Sequence, residues 1–287
     1  MPRVYTDRVA VRHNELDAFG RVYAAAYLRY LGQLAIDAST DAGFSSRWYD
    51  EAGLMWLVRR TSFQIARPVG RDTVLELSTW VEDFRRVRSY RRYEARAADG
   101  SVVASALTDW VLVDQTSGKP RRVPAEVEEA FGVATGTAAA TRPPWQAPAP
   151  PAAAARSTHA VRFTDLDALA HVNNATYVDV LSEGVLAAWG SLGWSVDRFR
   201  QAGLAPTIAS GDVEYLESAR HGDSLHSVTW FQEAADGLDA FQMLTRGDDP
   251  APLVRAQTRW RWQLLAGVTW TAPPAELVAA IGPLRAA

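Results

Sequence analysis

The chain has no cysteine in 287 residues. That excludes disulfides, thiolate metal sites and a cysteine nucleophile. No apolar run reaches the length needed to cross a membrane as a helix, and residues 1–17 lack the apolar core of a signal peptide. The expectation is a soluble cytoplasmic protein with no membrane partner. Only five histidines occur, at 13, 159, 171, 221 and 226, and none has a H-E-x-x-H or comparable spacing, so no metal is expected. A G-x-S-x-G elbow, a Walker loop and a dinucleotide G-x-G-x-x-G are all missing, which removes a serine-elbow hydrolase and nucleotide cofactors. No cofactor is expected. The net charge of −3 argues against a general nucleic-acid partner.

What is present is a globular composition, 48% apolar and 22% charged, carrying an internal echo. Residues 11–31 and 161–181 align without a gap at an offset of 150, sharing nine of 21 positions: Val11/Val161, Arg12/Arg162, Leu16/Leu166, Asp17/Asp167, Ala18/Ala168, Val22/Val172, Ala25/Ala175, Tyr27/Tyr177 and Leu31/Leu181. A duplicated module follows. The expected division is an N-terminal unit over 1–132, an Ala/Pro-rich linker over 133–158 and a C-terminal unit over 159–287. Five prolines at 143, 144, 148, 150 and 151 mark the linker as an extended spacer. Trp145, inside it, is expected to pin the spacer to one half.

Each half reads in the same order. An extended entry (Arg8–Arg12; Thr158–Phe163) leads to a loop carrying the shared Asp, then to an amphipathic helix with apolar positions at i, i+3 and i+4. Strand-like runs follow at Thr73–Val81, Ser89–Arg96 and Val102–Val113, and again at Ser224–Phe231, Ala240–Arg246 and Val254–Leu264. A helix followed by antiparallel strands is an α+β unit.

The second copy reads Asp165-Leu166-Asp167-Ala168-Leu169-Ala170-His171-Val172-Asn173-Asn174-Ala175-Thr176-Tyr177. This string resembles the D-x-x-[GA]-H-V-N-N-x-x-Y signature of hot-dog thioesterases of the 4-hydroxybenzoyl-CoA thioesterase type. With Arg162-Phe163-Thr164 in front, it is most similar to the acyl-acyl carrier protein (acyl-ACP) thioesterases. Val213-Glu214-Tyr215-Leu216-Glu217…Gly222-Asp223-Ser224 resembles that family's stretch after the helix, and the likeness covers nearly the whole chain. The resemblance implies a double (tandem) hot-dog, each unit an antiparallel sheet wrapped around a central helix. It also implies hydrolysis of an acyl thioester of ACP or coenzyme A, in a monomeric double hot-dog or a homodimer of it.

Chemistry supports the same residues. Thioester hydrolysis needs an activated water or a nucleophile, and donors for the developing oxyanion. Asp167 on a loop before a helix suits a general base or a nucleophile, although an Asp in that place is most often a helix cap. His171 and Asn173 are candidates to orient water or bind the oxyanion, with Glu217 a second carboxylate and Asn174 a substrate contact. Where the resembling family has an Asn two residues after its catalytic Asp, this chain has Leu169. That departure keeps a second reading in view, a non-hydrolytic hot-dog protein that binds or modifies an acyl or polyketide chain.

The first copy keeps Asp17 but has Arg21, Tyr23 and Ala24 where the second has His171, Asn173 and Asn174. Arginine cannot act as a general base, so this half is expected to shape the acyl pocket, with Asp17, Tyr23 and Tyr27 as candidate contacts. A basic strip, Arg85-Arg86-Val87-Arg88-Ser89-Tyr90-Arg91-Arg92, has an acidic or neutral counterpart near Glu233–Gln242. Arg85, Arg86 and Arg88 are therefore candidate carrier-binding residues, set against an ordinary solvated strand.

Overall fold

A computed structural model describes residues 2–133, 142–267 and 269–286. Two compact units make up the chain, residues 1–13 with 27–144 and residues 14–26 with 145–287. Part of the stretch read as a spacer, residues 134–141, lies outside the described residues.

The first unit contains β1 (Val4–Ala10), all but the first three residues of α1 (Ala24–Asp41), α2 (Ser46–Ala52), β2 (Leu54–Ile65), β3 (Val74–Arg85), β4 (Arg88–Arg96), β5 (Val102–Asp114) and α3 (Ala125–Ala130). Its strands run antiparallel in the order β1-β3-β4-β5-β2. In the second unit the elements are β6 (Ala155–Ala160), α4 (Asn174–Ser191), α5 (Val196–Gln201), β7 (Leu204–Tyr215), β8 (Ser224–Ala234), β9 (Gly237–Arg246), β10 (Pro252–Leu264), β11 (Trp270–Thr271) and α6 (Ala275–Ala280). The order there is β7-β10-β9-β8-β6, with β11 beside β10.

The offset of 150 extends far beyond the 21 residues that first show it. It relates α1 to α4, β2 to β7 and β5 to β10 end to end, and it relates the starts of β3 and β8. It also relates individual hydrogen bonds. Tyr27 Oη accepts from Val69 N at 3.3 Å, and Tyr177 Oη from Ala219 N at 2.8 Å. Ser45 caps α2 through Trp48 N at 3.3 Å, and Ser195 caps α5 through Arg198 N at 3.2 Å. Ser and Thr hydroxyls satisfy the otherwise unpaired N–H groups of a helix start.

The six strand-like runs are all strands. β2 and β7, which the sequence reading omitted, complete each sheet. The second extended entry, read to Phe163, runs into a single 3₁₀ turn at Phe163–Asp165, and the matching turn His13–Glu15 begins just after the first. β6 begins at Ala155, within the stretch read as linker. Before it, the chain lies on its own unit. Trp145 is half-buried with the Arg255 guanidinium 5.6 Å from its ring centre, Trp230 Nε1 donates to Pro148 O at 3.1 Å, and Ala147 packs on Trp230, Phe241 and Ala154.

Helix α4 packs against β6 and β8 and buries Tyr177, Val178, Leu181, Val185 and Trp189. Trp189 is the largest plug in this core. Its ring lies 5.0 Å from Trp260, 5.5 Å from Trp262, 5.8 Å from Phe199 and 6.1 Å from Phe231. Each such ring contributes apolar burial plus a favourable aromatic geometry. In the first unit the corresponding end is built from Phe44, Leu54, Val81, Phe84, Leu112, Val123, Val127 and Phe131. Because four aromatic rings rest on it, Trp189→Ala should lower unfolding stability by about 3–5 kcal/mol, measured by urea denaturation. A loss under 1 kcal/mol would contradict this packing.

Candidate active site

The motif loop closes on itself before α4 begins. Leu166 and Val172 form an antiparallel bridge, Asp167 N donates to His171 O at 2.8 Å, and Ala170 N donates to Asp167 O at 3.0 Å. Ala170 stands at φ +57. This is a tight three-residue turn whose last corner is left-handed. The first copy makes the same turn, with a Leu16–Val22 bridge, Asp17 N to Arg21 O at 2.7 Å, Gly20 N to Asp17 O at 3.0 Å, and Gly20 at φ +79. Glycine takes that corner without cost, whereas alanine is strained there.

Both copies hold the shared Asp alike, but surround it differently. Asp167 Oδ1 accepts from Leu169 N at 2.9 Å, the one hydrogen bond of that carboxylate among the described residues, and the side chain is half-exposed. Leu169 thus serves through its N–H, while its side chain is largely in solvent. Asp17 Oδ1 accepts from both Phe19 N (2.8 Å) and Arg21 N (3.0 Å), and burial pushes its pKa up against those bonds. Arg21 is buried within the second unit, where its guanidinium donates to Gln263 Oε1 at 2.6 Å, Gly267 O at 2.8 Å and Leu264 O at 3.1 Å. The residue that replaces His171 has become a clamp.

His171 is half-buried, its Nε2 3.4 Å from Arg220 Nη2. Asn173 is the N-cap of α4; its Oδ1 accepts from Ala175 N at 3.0 Å and its N–H donates to Asp165 O at 2.9 Å. With Oδ1 engaged, the amide keeps two N–H donors for a ligand. Asn174, half-buried, opens the helix, and its carbonyl accepts from Tyr215 Oη at 3.1 Å. The loop bearing Glu217 is tied to this turn, since Val172 N donates to Ala219 O at 2.9 Å. Glu217 itself is exposed, 3.8 Å from Arg246 Nη1. Asp167, His171 and Asn173 therefore share one short loop, and Glu217 lies on the segment bonded to it.

Among the first-half candidates, Tyr23 is half-buried and Tyr27 buried, its hydroxyl accepting from Val69 N. In the basic strip, Arg85 pairs with the buried Asp83 at 2.8 Å and Arg88 with the buried Asp109 at 2.9 Å. Arg86 is exposed at the β3–β4 hairpin with φ +49. Two of the three charges are thus neutralised within the unit.

Sequence reasoning assigned no role to Asp165, which holds the loop in place. It is 3% exposed and accepts from Arg162 N (2.8 Å), from Arg162 Nη2 (2.8 Å), and bonds His159 Nε2 (2.9 Å). Burial pushes its pKa up, but the Arg162 and His159 hydrogen bonds outweigh this and bring it to about 2. The spacing His159-x-x-Arg162-x-x-Asp165 carried that signal, since the first copy has Val9 and Glu15 at the outer positions. Of the two acids in Asp165-Leu166-Asp167, one is a buried clamp and the other faces solvent. Burial likewise pushes the Tyr177 phenol up to about 12, which keeps it a neutral hydrogen-bonding anchor at ordinary pH.

Residues 2–131 match the profile of the acyl-ACP thioesterase N-terminal domain, and residues 161–267 match the thioesterase-like superfamily. The chain resembles the acyl-ACP thioesterase family along both halves. A chloroplastic acyl-[acyl-carrier-protein] hydrolase of Cuphea viscosissima is 24% identical over 95% of this chain, which spans 66% of that relative's length. Among solved structures, a Lactobacillus plantarum protein described as an oleoyl thioesterase superposes with a TM-score of 0.78 at 20% identity, covering 95% of this chain and 98% of that one. The 12:0-ACP thioesterase of Umbellularia californica gives 0.72 at 21%, covering 91% and 94%. The fold is a double hot-dog. Among the described residues, no helix is long and apolar enough to cross a membrane.

Two predictions follow from the loop. Asp165→Asn should cost about 2 kcal/mol at pH 7, from the displacement of its pKa to about 2. Because the folded pKa is depressed, the deficit should be fully present above the unfolded value near 4 and fade as pH falls towards 2. A pH series of urea melts checks this, and a deficit that persists unchanged at pH 2 would contradict it. Ala170→Gly should relieve left-handed strain and raise stability by about 0.5–1 kcal/mol in the same assay.

Proposed function

We propose that the chain hydrolyses acyl thioesters to a free carboxylic acid and a thiol, with Asp167 as general base or nucleophile. The observation that carries this reading is the contrast between the two copies of one turn. Both hold an Asp at the same corner, but only the second leaves its carboxylate with a single hydrogen bond among the described residues, with His171 and the N-cap amide of Asn173 on the same loop. The likeness to thioesterases along both halves supports it.

In this reading Asp167 takes a proton from a water that adds to the thioester carbonyl carbon, and that proton later goes to the leaving sulfur; as a nucleophile its carboxylate adds there instead, and a water, which also supplies the proton, hydrolyses the resulting acyl-Asp167 anhydride. The oxyanion that forms is met by side-chain N–H donors of Asn173 and by the N-terminal end of α4. Collapse breaks the C–S bond, and the sulfur leaves as a thiol with the proton. His171 orients the water, and Glu217 assists from the bonded segment. Acyl-ACP is the first substrate to test, because relatives named as acyl-ACP hydrolases resemble the chain over nearly all its length; acyl-CoA is the second. Residues 1–132 then contribute the acyl pocket, with Asp17, Tyr23 and Tyr27 as contacts, and residues 159–287 the chemistry, with Asn174 a further substrate contact. Arg86, the exposed member of the basic strip, is the one left to meet an acidic carrier.

Turnover of acyl-ACP and acyl-CoA by wild type, Asp167→Asn and His171→Ala tests the reading. A lost general base costs on the order of 10²–10⁴ in kcat, so Asp167→Asn should fall by at least about 100-fold. Unchanged turnover in that variant would remove the Asp167 assignment. No turnover by wild type on either thioester would favour the non-hydrolytic acyl binder that Leu169 brings to mind.

A further inference from the structure

The offset of 150 allows the two interiors to be compared position by position, and they differ at one end. In the second unit Trp189 fills the space between α4 and the sheet, and Ile208, Trp260 and Trp262 beside it are all buried. The first unit has Ser39 at the place of Trp189, with Val58, Trp110 and Leu112 at the places of the other three. A serine in place of tryptophan leaves this end to the buried cluster of Phe44, Leu112 and Phe131, with the partly buried Trp48, Tyr49 and Trp56 packed against it. Val58 and Trp110 are half-buried, whereas their counterparts are sealed. The atoms at this end are also polar. Ser39 Oγ lies 3.2 Å from Tyr49 Oη, which accepts from Trp56 Nε1 at 3.0 Å.

Into the same interior β4 sends a cation. Arg91 is paired with Val81 in the sheet register; its counterpart opposite Phe231 is Ala240. The arginine is 7% exposed, its guanidinium is 4.9 Å from the Phe131 ring centre, and Nη1 is 3.5 Å from Thr79 Oγ1, a bond at the limit of useful length. Among the described residues no carboxylate lies within ion-pair distance, and the groups that act on it electrostatically are the neutral phenols of Tyr93 and Tyr49. This sets it apart from Arg85 and Arg88 on the same strip, each paired with an aspartate. Buried guanidinium groups are nearly always paired, because an uncompensated charge in a core is costly. A chain that retains one has a use for it that folding alone does not supply.

We infer that Arg91 is a specificity-determining residue, and that the preferred acyl group carries a carboxylate at its distal end, which enters the first unit beside Ser39 and Tyr49 and pairs with this guanidinium. The planar fork of arginine fits a carboxylate with two parallel hydrogen bonds. An acid there supplies the missing counter-charge, and the aromatic lining of Trp56, Trp110 and Phe131 accepts the methylenes. The inference rests on the thioesterase reading and narrows its substrate class to monothioesters of dicarboxylic acids.

Binding and turnover separate the two claims. Isothermal titration of the full chain with dodecanedioic acid and with dodecanoic acid requires no catalysis. Wild type should bind the diacid at least about tenfold more tightly, and Arg91→Met should lose or invert that preference. Arg91→Lys, which keeps the charge without the fork, should retain part of it. Arg91→Met should also melt no lower than wild type, since it removes an unpaired buried charge; a purely structural arginine would lower the melting temperature. Equal binding of both acids by wild type, or an unchanged preference in Arg91→Met, would overturn the inference. In kinetics, wild type should show a higher kcat/KM for the carboxylated acyl thioester, and Arg91→Met should lose this while still turning over the plain chain. Diacid preference without turnover of any thioester would refute the hydrolytic reading but leave Arg91 as the acid-binding residue of an acyl binder.

Discussion

The constraint on which the candidate site depends is the closure of a seven-residue turn, Leu166 to Val172, against the start of a buried helix. One backbone bond, Asp167 N to His171 O, sets the direction of every side chain between them. Outside the turn, Asp165 fastens its entry through Arg162 and His159, and Tyr177 fastens its exit through Ala219 N. These anchors are buried, so the half-buried Asp167 can be held in one place with a single hydrogen bond to its own carboxylate, from Leu169 N. Pre-organisation of this kind is what a reactive carboxylate needs, because each hydrogen bond spent on positioning it would also lower its basicity.

The same turn in the first copy shows what the geometry does without the chemistry. Its Asp is bonded twice and its glycine corner is relaxed. Arg21, in the place of the histidine, is spent on carbonyl oxygens and Gln263. The unrelaxed alanine corner occurs only in the copy whose carboxylate accepts a single hydrogen bond among the described residues. Strain retained at one member of a duplicated pair is the pattern expected where function, rather than stability, selects the residue.

Much of this was legible in the sequence, and what was not has identifiable causes. The 21-residue echo revealed the duplication because Asp, Val and Tyr serve the turn and helix in both copies. Six strands were readable from alternation. β2 and β7 were not, since β7 contains Pro206 and Gly211, both depleted in strands. β2 begins with five consecutive apolar residues, Leu54 to Val58, and its pairing register shifts after Val58. Asp165 was hidden by its neighbour: two acids flanking one leucine look equivalent until a 3₁₀ turn buries one and not the other. Arg91 was hidden by its company, because in Arg85-Arg86-Val87-Arg88-Ser89-Tyr90-Arg91-Arg92 every arginine resembles solvated surface. Strand alternation turns Arg91 inward, and nothing local marks it as the buried one that has no acid partner among the described residues.

Duplication also explains how two opposite demands on a small fold are met. A hot-dog unit has one central helix, and the space beside it is either packed or left for a ligand. The second unit packs it, with Trp189 among four aromatic rings and Gln242 bonded to Leu181 O and Thr229 Oγ1 beneath the helix. That rigidity suits a unit whose loop has to hold a carboxylate in a fixed place. In the first unit Ser39 stands at the corresponding end, and Arg91 adds a buried charge with no carboxylate within ion-pair distance among the described residues, at a cost in cohesion. A single unit could not hold both arrangements, because one interior admits one packing. Two copies separated by 150 residues allow each demand to be met in its own core, and the side chains that break the repeat, Trp189 against Ser39 and Ala240 against Arg91, are where that separation is written.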